Sequence, residues 1–521
     1  GRRLRSRGPE ASQGSAGEQE RSVSVLVGLD VGTGGARAVA VDGSGKIVAE
    51  AGSEFPLHTP RPGWTEQDPE DWWTGAKEVL ARVASEAGEE VAGIGLTGQM
   101  HGSVFLDASD EVVRPALLWN DQRTQAQCDW ITGAVGAERL ISIAGNPALT
   151  GFQAPKIVWL RDEEPEEYGR VSRVLLPKDY VRLMLTGEHA TDASDASGTL
   201  LLDVRARDWS GEILDALEIP HEWMPKVYEG PENTGALRES VAEELGLLPG
   251  IPVAAGGGDN AAAAVGTGIV EPGLVNSSVG TSGVLFAHTE EFKPDPSGRL
   301  HAFCHAVPGA YHLMGVTLSA GGSLSWWRET LGGDFDELVE EASNVPPGSE
   351  GLVFLPYLSG ERTPHLDPKA RGSFFGLTAR HGVAHMTKAV MEGVVFSLRD
   401  SLQVMRDLDV PVEDVRATGG GARSGLWRQL QADIYGTPIR RTVADEGPAY
   451  GAALLAGVAS GTYTDVEEAT SVVELREELT EPDAGRSKAY GEYYEVYRSL
   501  YPATGPVMAR LSDLAAGTSD G

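Results

Sequence analysis

Apolar positions along the chain fall into blocks of two different periods. From Ser24 the order is Ser-Val-Leu-Val-Gly-Leu-Asp, an apolar run that ends on the carboxylate of Asp30. Val31-Gly32-Thr33-Gly34-Gly35 follows, then a second run, Ala38-Val39-Ala40-Val41, which stops at Asp42-Gly43. Two apolar runs joined by a Gly/Thr turn predict a hairpin. Over residues 68 to 90 the period lengthens: Trp72, Trp73, Ala76, Val79 and Leu80 recur at helical spacing. Asp68 is placed to cap that helix and Pro69 suits its first turn. Residues 91 to 106 return to strand character.

The second half repeats the theme. Ala254-Ala255-Gly256-Gly257-Gly258-Asp259 is followed by an apolar run from Val275 to Phe286 that contains Val279-Gly280-Thr281-Ser282-Gly283. That turn and Val31-Gly32-Thr33-Gly34-Gly35 share a V-G-T-x-G core, so one hairpin per half and a duplicated architecture are expected. A third glycine cluster, Gly419-Gly420-Gly421, follows the short strand around Val415 and precedes a helix with Leu426, Trp427, Leu430 and Ile434. Strand, Gly-rich turn and helix together aim backbone N–H groups at an anion. Turn residues crowd residues 230 to 252, with Gly230-Pro231, Pro249-Gly250 and Pro252. The expected division is therefore residues 1–23 as an extension, 24–252 and 253–500 as two domains, and 501–521 as a tail.

Bulk properties narrow the reading. A chain of 521 residues is too long for one ordinary core, and 41% hydrophobic with 23% charged residues is a globular composition. A net charge of -33 disfavours nucleic acid and anionic membrane surfaces as partners. Phosphate can still bind locally, through backbone N–H groups. Two cysteines, Cys128 and Cys304, supply neither a disulfide framework nor a zinc cluster, which points to the cytoplasm. No apolar run reaches bilayer length. Arg2, Arg3, Arg5 and Arg7 lead a polar start with no apolar region behind them, so a disordered extension is expected there.

Several short motifs invite chemistry. Gly93-Ile94-Gly95-Leu96-Thr97-Gly98 spells the dinucleotide fingerprint, but strand-like residues follow where a helix must open. No phosphate-binding loop of the G-x-x-x-x-G-K-[ST] type occurs. Asp30 reads either as a turn former or as a carboxylate facing Mg²⁺ beside a phosphate cradle of N–H groups, the Thr33 hydroxyl and Arg37. Asp259 reads either as the cap of an alanine-rich helix or as a carboxylate held where a substrate reaches it. His101 has no second histidine at metal spacing, and Trp326-Trp327 reads as core.

Taken in order, four segments between residues 24 and 500 resemble the FGGY carbohydrate kinases, the superfamily of glycerol kinases and xylulokinases. They are Gly28 to Arg37, Gly256 to Ala262, Ser278 to Gly283, and Thr418 to Ser424. Gly98-Gln99-Met100-His101-Gly102 is similar to the substrate segment of the xylulokinase branch, where glycerol kinases instead carry an Arg-Glu pair. Lys178-Asp179-Tyr180-Val181-Arg182 and Asp192-Ala193-Ser194-Asp195-Ala196-Ser197-Gly198-Thr199 resemble the same branch, as does Leu118 to Arg123.

The resemblance implies an α/β fold of two actin-like, ribonuclease-H-like domains around a catalytic cleft. It implies ATP and Mg²⁺, and D-xylulose phosphorylation, with other pentuloses, polyols or sugar acids as the alternatives. Asp259 would be the catalytic base, and Met100, His101 and Asp259 would bind sugar. Thr33, Gly34, Arg37, Gly280, Thr281, Gly321, Gly420 and Ser424 would bind nucleotide, with Asp30 on the metal. Ser424 and Ser325 stand where glycerol kinases place Asn and Gln near the adenine. An actin-like chaperone or sugar-responsive repressor is disfavoured, because the chain after residue 457 is too short for a peptide-binding domain and no basic DNA-binding region occurs. The oligomeric state stays open, with a homodimer among the assemblies the resemblance allows.

Overall fold

The computed structural model describes residues 24–444 and 447–517, and the extension expected over residues 1–23 lies outside the described residues. The first hairpin forms as its turn chemistry requires. Strand β1 (Ser24–Val31) pairs antiparallel with β2 (Gly35–Asp42), which pairs with β3 (Ile47–Glu54). Helix α1 (Pro69–Ala87) then crosses over to β4 (Glu90–Gly98), which lies parallel to β1. Asp68 caps α1 by accepting from the Glu70 N–H at 3.0 Å.

Residues 99 to 232 form an inserted cap that includes α2 (Gln153–Glu163), α3 (Pro177–Thr186) and the short α4 (Ala193–Ser197). The chain re-enters the first sheet through β5 (Asn233–Ala236), β6 (Pro252–Ala254) and β7 (Gly257–Gly258), and leaves it in α5 (Asp259–Gly266). The sheet order is β5-β6-β4-β1-β2-β3, with β7 beside the end of β4. Side chains of β1 alternate between two cores. Val25, Val27 and Leu29 pack with Trp72, Ala76 and Val79 of α1, whereas Leu26 packs with Ala261 and Val265 of α5 on the opposite face.

The second sheet repeats this plan. It contains β8 (Gly273–Val279), β9 (Gly283–Thr289), β10 (His301–Cys304), β11 (Tyr311–Thr317), β12 (Val412–Thr418) and β13 (Ile439–Arg440), in the order β10-β11-β9-β8-β12-β13. The series β3-β2-β1-β4-β6 and β11-β9-β8-β12-β13 match strand for strand, three antiparallel and then parallel neighbours. The duplication read from V-G-T-x-G is thus a duplication of sheets. Helices α6 (Gly321–Leu331), α7 (Val383–Asp407) and α8 (Gly425–Tyr435) pack on the second sheet.

Three features depart from the expected division of the chain. Strands β6 and β7 reach or pass residue 252 and still belong to the first sheet, because the Pro/Gly-rich stretch before them punctuates an edge connection. Helix α9 (Gly447–Ala459) also returns to the first sheet: Ala449, Ala453 and Leu454 share a core with Leu26 and Val39. Finally, α10 (Ala484–Gly517) runs unbroken through Pro502 and Pro506, so the segment expected as a tail after 500 continues a helix. Tyr490, Tyr494, Tyr497 and Tyr501, one or two turns apart, anchor it to the second domain through hydroxyl bonds to Glu392, Asp400, Tyr357 and Asp367.

Candidate active site

Register places two carboxylates together. Asp30 ends β1 and stands beside Thr97 of β4, which in turn stands beside Gly257 of β7. Asp259 follows Gly258, so Asp30 and Asp259 both emerge at the carboxyl ends of parallel strands, where open α/β sheets bind ligands. Met100 and His101 emerge from the end of β4, between them.

Asp259 is the first residue of α5, and the cap position belongs to Gly258, which offers no side chain. The helix-cap reading of Asp259 therefore does not apply. Its Oδ1 accepts from the Asn260 N–H at 2.7 Å and from Asn260 Nδ2 at 2.8 Å. Asp259 lines a cavity of about 380 Å³, and among the described residues both bonds it accepts fall on Oδ1. Burial pushes this carboxyl up to about 6, against the two Asn260 bonds that favour the ionised form.

His101 adopts a left-handed backbone, φ 68°, which turns its ring back toward the cap. Nδ1 donates to the Gly198 carbonyl at 2.6 Å. A carbonyl only accepts, so Nδ1 holds the proton. Burial lowers the imidazole to about 3, outweighing the Gly198 bond, and the Lys156 and Arg362 charges lower it further. The neutral ring is left with Nε2 as an acceptor. Phe152 packs edge-on to it at 4.9 Å. Beneath the loop, the fully buried Lys156 ammonium donates to the carbonyls of His101 at 3.2 Å and Phe152 at 2.9 Å, and to that of Gly151. Met100 is buried under the Asp259 turn, its thioether 2.9 Å from where a β-carbon on Gly258 would stand.

Thr33 faces this same end of the cleft. Its hydroxyl donates to Gln99 Oε1 at 3.1 Å and accepts from Trp119 Nε1 at 2.9 Å. Gly34 stands exposed at the tip of the hairpin, with nothing near the position of a β-carbon.

Five of the eight nucleotide candidates, Gly280, Thr281, Gly321, Gly420 and Ser424, line a second cavity of about 550 Å³ with Ser325 and Trp427, whereas Arg37 lines the first and Thr33 and Gly34 line neither. Gly321 N–H donates to the Gly280 carbonyl at 2.8 Å, and a β-carbon at Gly321 would lie 2.6 Å from that oxygen. Glycine is what lets the start of α6 meet the second hairpin. Ser424 caps α8, accepting from Trp427 N–H, so its hydroxyl serves the helix while its backbone borders the cavity. Gly420 and Arg423 line both cavities, so the cavity beside Asp259 and Arg37 adjoins the one beside Ser424.

Asp30 supplies a hard carboxylate, and no group of three or more metal-binding side chains occurs among the described residues. That donor set fits Mg²⁺, which takes one or two carboxylates and otherwise keeps water and substrate phosphate oxygens. Three site residues escaped the sequence reading: Asn260, Gln99 and Lys156. Lys156 had a signal, being the one cation in the apolar stretch from Ala154 to Leu160.

Comparison with known proteins bears on the chain as a whole. The family model for the N-terminal domain of the FGGY carbohydrate kinases matches residues 25–266, and that for the C-terminal domain matches residues 275–460. The xylulose kinase of Escherichia coli K12 is 43% identical over 488 residues, covering 93% of this chain and all of that one. The Bacillus subtilis xylulose kinase is 39% identical, covering 92% of this chain and 97% of its own. A crystal structure of a xyloylose kinase from Brucella ovis superposes with a TM-score of 0.89 at 40% identity, over 93% of this chain and 100% of that one.

Proposed function

The chain belongs to the FGGY family of carbohydrate kinases, and from that premise we propose that it transfers the terminal phosphoryl group of ATP to D-xylulose, giving D-xylulose 5-phosphate and ADP. The observation that carries this reading is Asp259. Its carboxylate combines a raised proton affinity, an Oδ2 that takes neither Asn260 bond and a position beside both the Met100–His101 loop and a cavity that adjoins the proposed nucleotide cavity.

Phosphoryl transfer depends on alignment and charge stabilisation more than on covalent chemistry. His101 Nε2 accepts a bond from a sugar hydroxyl and fixes the register of the sugar. The terminal hydroxyl then lies against Asp259 Oδ2, which accepts its proton as the oxygen bonds to phosphorus. The N–H groups of the two glycine-rich hairpins, with Thr33, Thr281 and Arg37, brace the phosphates. Asp30 is the residue that would hold Mg²⁺, and the bound ion would neutralise charge on the phosphate oxygens. We place the reaction in the cytoplasm, where ATP is available.

The test is turnover with saturating ATP and Mg²⁺ on a panel of D-xylulose, ribulose, glycerol and gluconate. D-xylulose is expected to give the highest kcat/KM, because Met100-His101 stands where glycerol kinases carry their Arg-Glu pair. A higher value for another acceptor would overturn the substrate and leave the kinase.

A further inference from the structure

Two segments singled out in the sequence, Lys178 to Arg182 and Asp192 to Thr199, supply nothing to the chemistry described above beyond the Gly198 carbonyl that orients His101. They meet behind it. Lys178 Nζ lies 2.6 Å from Asp179, 2.8 Å from Asp192 and 3.3 Å from Asp195, all fully buried. Arg182, equally buried, donates to the carbonyls of Ala254 at 2.8 Å and Ala255 at 2.5 Å, and to Thr234 Oγ1 at 2.6 Å. The backbone that leads to Asp259 is thus clamped from below.

The short helix α4 continues the clamp upward. Asp192 caps it, accepting from the N–H groups of Ser194 at 2.8 Å and Asp195 at 3.1 Å, and from the Ser194 hydroxyl. Ser194 Oγ then accepts the Gly258 N–H at 3.1 Å, one residue before Asp259. Four residues on, the Gly198 carbonyl accepts from His101 Nδ1 at 2.6 Å. Positions i and i+4 of a helix lie about 6 Å apart along its axis. One helical turn therefore holds the Asp259 turn at one end and the His101 ring at the other.

We propose that Ser194 is a positioning residue, and that α4, braced by the Lys178–Arg182 cluster, sets the spacing between the Asp259 carboxylate and the sugar-binding ring of His101. The proposal rests on the kinase reading above. Removing the Ser194 hydroxyl leaves His101, the nucleotide cavity and Asp259 itself intact. It frees the Gly258 N–H, and with it the direction of the Asp259 side chain, and it takes one donor from Asp192, which keeps the N–H groups of Ser194 and Asp195. Misplacement of a reacting group by about 1 Å costs on the order of 10²-fold in rate.

The experiment compares Ser194→Ala with Ser197→Ala. Ser197 is a hydroxyl of the same helix and equally buried; its Oγ donates to Ala193 at 2.6 Å and accepts from Cys304 N–H at 3.0 Å, touching neither loop. Ser194→Ala is expected to lower kcat by about 10- to 100-fold, to leave KM for D-xylulose nearly unchanged, and to displace the acid limb of the pH profile. Ser197→Ala is expected to lower Tm and keep kcat. Ser194→Cys, similar in shape with a weaker acceptor, is expected to fall between, and it serves if the alanine variant does not fold. Wild-type kcat and an unmoved acid limb in folded Ser194 variants would overturn the positioning role. Absence of D-xylulose turnover in the wild type strikes the proposed function instead, and the same variants are then read on whichever acceptor the panel favours.

Discussion

At Asp259 the surroundings suit a carboxylate to the role of base proposed for it. Asn260 engages Oδ1 from two donors, and burial raises the carboxyl to about 6. A base with that value is ionised at neutral pH and still has proton affinity near the pH of use. Asp259→Asn keeps the volume and removes the proton acceptor, so kcat is expected to fall by about 10²–10⁴-fold, with Tm nearly unchanged. A pH series gives the sign independently. The protonated carboxyl cannot accept the sugar proton, so kcat/KM for the sugar is expected to level off above the value of about 6 and to fall as pH drops through it. His101, lowered to about 3, stays neutral throughout that window and adds no second limb. A profile that stays flat to pH 5 would remove Asp259 from the role of base.

Among the elements, α9 and α10 tie distant parts of the chain to the two sheets. Glycines in β1 and β4 admit α9 at backbone contact: a β-carbon on Gly28 would lie 1.8 Å from the Ala449 carbonyl, and one on Gly95 1.9 Å from that of Ala452. This is why Gly93-Ile94-Gly95-Leu96-Thr97-Gly98 imitates a dinucleotide fingerprint without being one. In α10, Tyr494 donates to Asp400 at 2.6 Å, and burial raises that carboxyl to about 7. Tyr494→Phe removes the donor, at a cost of about 1–3 kcal/mol when the buried acceptor is ionised. Above the value of about 7 Asp400 is charged, and below it the proton spares the site. The fall in Tm is therefore expected to be larger at pH 8 than at pH 6, with kcat unchanged, and an equal fall at both would refute the account.

The sequence made the hairpins, α1 and the Gly419-Gly420-Gly421 turn legible because each is coded locally, by period and turn chemistry. It hid α9, whose alanines are meaningful only beside glycines some 400 residues earlier, as the Tyr450 hydroxyl bonded to Gly45 across 405 residues illustrates. It hid the end of α10, because Pro502 and Pro506 argue against a helix that tyrosine–carboxylate bonds across 94 and 134 residues hold in place. The site was legible where it is made of glycine-rich turns and strand-end carboxylates. Lys156 and Ser194 were not, since their partners are backbone atoms of loops that only the fold brings near.

For the molecule as a whole, duplication supplies two sheets, each with a glycine-rich hairpin; Met100, His101 and Asp259 follow strands of the first, and residues of the second line the cavity proposed for the nucleotide. A net charge of -33 leaves phosphate binding to local N–H groups and to Arg37, not to the general field. The proposed transfer requires that phosphate leave ATP only toward a sugar held by His101 and Asp259. Following the purified enzyme with ATP, Mg²⁺ and D-xylulose by phosphorus NMR tests that requirement directly. The expected result is ADP and a sugar phosphomonoester appearing in equal amounts, with neither formed by Asp259→Asn on the same time scale. ADP and inorganic phosphate appearing at the same rate with or without D-xylulose would contradict it.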